Sequence, residues 1–75
     1  MAKLTPRPTA RIIKALRRAG WVFRETGGSR HYVLVNPDRP GIVAVPRHPQ
    51  VHKKTLGMII KQAGLTLKEF EKLYR

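Results

Sequence analysis

The chain has 75 residues, with sixteen Lys and Arg against four Asp and Glu, a formal net charge of +12 and a pI near 11.5. A chain this short makes one domain, buries only about 60% of its unfolded surface, and has no room for a cofactor domain or a deep cavity. It has no cysteine, which excludes disulfides and thiolate metal sites, and a 41% hydrophobic content argues against a disordered basic tail.

Residues 1–7 are expected as a flexible lead. A helix is predicted over residues 6–20, with Thr9 as its N-cap and Ile12, Ile13, Leu16 and Ala19 along one side. Arg11, Lys14 and Arg18 then form a basic row on the opposite side, and Gly20 ends the helix. Residues 21–26 read as a strand, Gly27 and Gly28 as a tight turn, and residues 30–36 as the clearest strand of the chain. The proline- and glycine-rich segment 36–41 is a turn, and residues 42–45 a third strand, completing an antiparallel meander. Strand alternation puts His31, Val33 and Val35 on one face and Tyr32 and Leu34 on the other, without saying which face the helices cover. Residues 46–49 form a stiff loop. A second helix runs from Lys53 towards Gly64, with Leu56, Ile59, Ile60 and Ala63 as its apolar stripe. Thr66 and Glu69 make a capping box for a short last helix with Leu67, Phe70, Leu73 and Tyr74 inward. The expected fold is α+β, of order αβββα with a final short helix: a three-stranded antiparallel sheet with helices on one face, the layout of double-stranded-RNA-binding domains. No apolar run approaches the roughly 20 residues of a membrane span, so a soluble, cytoplasmic domain is expected.

The charge is segregated. Residues 1–24 hold seven basic residues and no acid, and residues 47–61 hold four more, again with no acid. Such a distribution points to a phosphate-binding face, with a solvated basic surface as the ordinary alternative. A non-catalytic nucleic-acid-binding module and a protein-interaction module for an acidic partner are therefore both open; membrane-surface binding fits poorly, because neither main helix has a broad aromatic face.

Candidate catalytic groups are few. There is no Ser/His/Asp set and no carboxylate pair. His48 and His52 are four apart, but Pro49 interrupts them and no Cys or Asp lies nearby, so no metal site is expected. His31 opens a central strand beside a glycine turn and basic residues. Histidine as a residue type titrates near neutrality, which suits general acid/base cleavage of RNA, with cations stabilising charge at phosphorus. On the residues alone, a structural or half-exposed strand histidine is the favoured reading of His31 over a catalytic one.

Three segments carry a resemblance: Gly28-Ser29-Arg30-His31, then Val45-Pro46-Arg47-His48-Pro49, then Thr55-Leu56 through Ala63-Gly64-Leu65-Thr66 with Glu69-Phe70. In this order and spacing, with Ala19-Gly20-Trp21 before them, they resemble the HicA toxin family of small mRNA interferases, over nearly the whole chain. The resemblance implies a double-stranded-RNA-binding-like fold, metal-independent cleavage of mRNA without a cofactor, and neutralisation by a HicB-type antitoxin. It maps the catalytic histidine to His31. Many members carry two histidines after the Gly-Ser pair; here the first of those positions is Arg30, so any second acid/base group is Ser29, Tyr32, His48 or a lysine. Arg30 and Arg47, together with Ser29, are assigned to RNA binding, and Lys53 and Lys54 to phosphate at the start of the second helix. The row Arg11, Lys14 and Arg18 is a further candidate for RNA contact. Trp21 and Phe23 are expected in the core, and Tyr32 is open.

Overall fold

The computed structural model describes residues 6–24 and 30–74. The chain runs β1 (Arg7–Pro8), α1 (Thr9–Arg18), β2 (Val22–Phe23), β3 (His31–Asn36), β4 (Arg39–Pro46), β5 (Gln50–Val51), α2 (Lys53–Gln62) and α3 (Leu67–Leu73). Strands β2, β3 and β4 form an antiparallel sheet in that order, with Phe23 opposite Leu34, Leu34 opposite Val43, and His31 opposite Pro46. This is the expected α+β architecture.

The helix-covered face is the one that carries Tyr32 and Leu34. Leu34, Val43 and Val45 from the sheet meet Ile12 and Leu16 of α1, Leu56 and Ile59 of α2, and Phe70 of α3, all fully buried or nearly so. Trp21, 1% exposed, packs into the same core as it leaves α1. Each aliphatic side chain buried this way stabilises the fold by roughly 1.5–3 kcal/mol. Among the described residues, no helix is long and apolar enough to cross a membrane.

Strand β4 is longer than residues 42–45. The turn is confined to Pro37 and Asp38, because the buried Asn36 side chain accepts a hydrogen bond from the Asp38 N–H at 2.9 Å. Pro40 and Pro46 are tolerated inside the strand because β4 is the edge of the sheet. Its outward Ala44 N–H is covered by the Gln62 side chain of α2, at 3.4 Å. Asn36 also packs on Gly20, whose φ of +99° closes α1; a Cβ there would sit 3.2 Å from the Asn36 Nδ2.

A second, two-stranded sheet was not expected. Arg7 and Pro8 pair antiparallel with Val51 and Gln50, tying the entry of α1 to the segment before α2. Of the lead formed by residues 1–7, residues 1–5 lie outside the described residues and Arg7 lies in this strand. Pro8, and not Thr9, is the N-cap of α1. Thr9 is the first helical residue, buried, and faces the 47–49 bend: its N–H donates to the Pro49 carbonyl at 3.0 Å and its hydroxyl donates to the His48 carbonyl. The capping box of α3 forms as expected, with the Glu69 N–H donating to Thr66 Oγ1 at 3.1 Å and the Thr66 N–H donating to Glu69 Oε1 at 2.8 Å. The backbone N–H of Thr66 first, and then its side chain, hold the Glu69 carboxyl below the usual carboxylate range.

Candidate functional site

The first residue of β3 is His31, and its side chain is exposed. Alternation from the core-packed Tyr32 turns it to the sheet face opposite that ring. The Arg47 N–H donates to the Arg30 carbonyl at 3.1 Å, which continues the β3–β4 ladder one step past the His31–Pro46 pair. This places Arg30 and Arg47 on opposite strands beside the histidine. Together with His31, Pro46 and His48 they line a shallow cleft. A second cleft begins on the other side of His31, where Ala44 and Pro46 meet Thr55, Met58 and Gln62 of α2.

Among the described residues, the charges at this end are all of one sign. Asp38 lies in the β3–β4 turn, at the other end of both strands, and Glu69 and Glu71 are on α3. Neither Arg30 nor Arg47 is paired with a carboxylate among the described residues. Arg47 instead rests its guanidinium on the Tyr32 ring, 4.5 Å from the centroid. The bend that carries Arg47 and His48 has little regular structure of its own; the two Thr9 hydrogen bonds anchor it at Pro49 and His48, and the Arg47–Arg30 backbone bond at its start. His48 and His52 are separated by Pro49 and β5 and do not share a helix, and among the described residues no three His, Cys, Asp or Glu side chains group as metal ligands.

The remaining candidates fall into three places. Lys53 and Lys54 open α2, whose N-terminus has no side-chain cap and no acid in its first turn; the adjacent Thr55 borders the His31 cleft. Arg11 and Arg18 turn towards α3. Arg11 lies over the Tyr74 ring at 4.7 Å, and Arg18 donates to the Leu73 carbonyl at 2.7 Å. Lys14, between them on α1, is exposed. Ser29 lies outside the described residues.

One aromatic residue departs from its expected place. Phe23, expected in the core, is 46% exposed, and its ring lies 5.9 Å from that of Tyr32. Arg17 of α1 reaches over Phe23 at 5.7 Å. The signal for this was present in the segment Trp21, Val22, Phe23, Arg24. Trp21 alone suffices to close the core at that corner, which leaves the second aromatic of the segment at the rim.

A comparison with protein families matches residues 9–65 to the HicA toxin of bacterial toxin–antitoxin systems. No curated protein matches the chain.

Proposed function

The chain belongs to the HicA toxin family, the toxin half of bacterial toxin–antitoxin pairs, and from that premise we propose that it is an endoribonuclease that cleaves mRNA with His31 as general acid/base. One observation carries the reading: an exposed histidine stands at a strand end in a cleft whose charged neighbours, Arg30 and Arg47, are both cationic. The His31 imidazole takes the proton of a ribose 2′-hydroxyl, the 2′-oxygen bonds to the adjacent phosphorus, and the bond from phosphorus to the 5′-oxygen breaks. Arg30 and Arg47 hold the phosphate and stabilise the charge that builds on its oxygens. The leaving 5′-oxygen needs a proton, and we assign its delivery to His48, which shares the cleft, whereas the Tyr32 ring lies against the opposite face of the sheet.

Lys53 and Lys54 extend the same cationic surface along the start of α2. Arg11 and Arg18, held against α3, contribute to the long-range attraction of RNA and not to the contacts at the scissile phosphate. Lys14 belongs with them, and Ser29, next to Arg30 in sequence, is assigned to the phosphate. A toxin of this family has an antitoxin, and a HicB-type protein with an acidic surface over the His31 cleft would silence it by charge complementarity.

The test is His31→Ala. The variant loses RNA cleavage and growth inhibition while it keeps its circular-dichroism spectrum and its antitoxin binding. Full cleavage by His31→Ala would sink the assignment, and RNA binding without cleavage by the wild-type protein would establish a non-catalytic RNA-binding module instead.

A further inference from the structure

Besides the His31 cleft, the protein carries a groove that shares only Arg47 and His48 with the cleavage chemistry. It runs between the first turns of α1, at Ala10 and Ile13, and the rim of the sheet, where Phe23 and Tyr32 form its wall and Arg47 and His48 its end. Other large apolar side chains are exposed, among them Val22, Ile42 and Met58, but none of these is aromatic. The groove wall is different in kind. Arg17, Phe23, Tyr32 and Arg47 follow one another as cation, ring, ring and cation, at 5.7, 5.9 and 4.5 Å. Among the described residues, no carboxylate lines it.

Flat π surfaces flanked by guanidinium groups match the chemistry of single-stranded nucleic acid. Unpaired bases stack on aromatic rings and phosphates meet the arginines. A paired base cannot use such a wall, because its faces are already covered by its neighbours in the helix. The groove is also continuous with the cleft, since Arg47 and His48 line both. A strand whose phosphate lies at His31 therefore passes Arg47 on its way into the groove.

From this geometry we infer that the groove is a nucleobase subsite. It holds one unpaired base, stacked on Phe23, next to the phosphate at His31, with Arg47 and Arg17 on the phosphates to either side of that base. The inference rests on the RNA-cleaving role proposed above and adds a selectivity to it. A fold laid out like a duplex-binding domain becomes selective for single strands, because its aromatic wall accepts only a base that is free on one face.

The test uses the full-length chain carrying His31→Ala, to stop turnover, and fluorescence anisotropy with a labelled single-stranded RNA and a blunt duplex of the same sequence. The single strand binds more tightly than the duplex. Phe23→Leu, which keeps an apolar cover but removes the π face, weakens single-strand binding by about tenfold and leaves duplex binding unchanged, while Phe23→Trp preserves both. Arg17→Ala, an exposed helix position that cannot disturb the core, lowers single-strand affinity and makes it less salt-dependent. Unchanged single-strand affinity in either Phe23→Leu or Arg17→Ala overturns the subsite, as does an equal loss on strand and duplex. These results leave cleavage by the wild-type chain intact and so fail separately from the RNA reading. No binding of either RNA at low salt by the His31→Ala chain would sink the RNA reading and the subsite with it.

Discussion

Arginine does different work on the two sides of α1. Towards α3, Arg7 makes a two-pronged ion pair with Glu71, with its second hydrogen bond at 2.8 Å, and stacks on Tyr74 at 4.7 Å. Arg11 covers Tyr74 at the same distance, and Arg18 is bonded to the end of α3. These three arginines clasp the last helix to the first. Towards the sheet, Arg17 and Arg47 lie on the rings of Phe23 and Tyr32, and Arg30 stands beside His31 with no carboxylate partner among the described residues. Arg17 and Arg18 are neighbours in sequence and fall in different regions. A net charge of +12 therefore overstates the proposed RNA-binding surface, because part of it is spent in holding the domain together.

Mutations separate the two regions by what they change. The largest effect is expected at the cleft: His31→Ala lowers the cleavage rate by at least about 10²-fold, the ordinary worth of general acid/base catalysis, with no change in melting temperature. Arg47→Ala follows. It lowers RNA affinity and cleavage by about tenfold, and the slope of log affinity against log salt falls by about 0.7, one phosphate contact on a single strand. Thermal unfolding of that variant matches the wild type.

The clasp shows the converse behaviour. Its hydrogen bond to Arg7, against opposing desolvation, holds the Glu71 carboxyl below the usual carboxylate range. The stability this lends is present above the unfolded carboxylate pKa and is lost as pH falls through the folded one. Glu71→Gln is thus expected to cost about 1 kcal/mol at neutral pH, discounted for partial exposure, with the gap to wild type closing in acid. Urea melts at pH 7 and in acid check this, and cleavage at pH 7 stays at the wild-type rate. The smallest effect belongs to Thr9→Val, at the boundary of the two regions. It leaves the His48 carbonyl without its hydroxyl donor, costs about 1 kcal/mol or less, and lowers cleavage a few-fold by freeing the bend that carries Arg47 and His48. A Thr9→Val protein that loses stability without any loss of rate would show that the bend keeps its shape alone.

The sequence made the periodic elements legible. Ile12, Ile13 and Leu16 on α1, and Leu56, Ile59, Ile60 and Ala63 on α2, are buried as their spacing predicts, and Thr66 caps α3 as its side chain dictates. The β1–β5 pairing was not legible, because two strands of two residues, with Pro8 in one and Pro49 beside the other, carry no alternation to read. Thr9 looked like an N-cap because Thr suits that position, but a buried hydroxyl takes the nearest free carbonyl, and here that belongs to His48. At the site, the strand position of His31 and its basic neighbours could be read directly. The uses of Arg11, Arg17 and Arg18 could not. They depend on where Tyr74, Phe23 and the Leu73 carbonyl arrive in space, and no local pattern records that.

The claim on which the account stands is that His31 drives attack of a 2′-oxygen on phosphorus. Mass spectrometry of the fragments released from a defined RNA by the purified chain, in the presence of a chelator, tests it most directly. The account predicts one fragment ending in a 2′,3′-cyclic phosphate and the other beginning with a 5′-hydroxyl, with neither formed by His31→Ala. Fragments carrying 3′-hydroxyl and 5′-phosphate ends, or the cyclic product formed undiminished by His31→Ala, would contradict it.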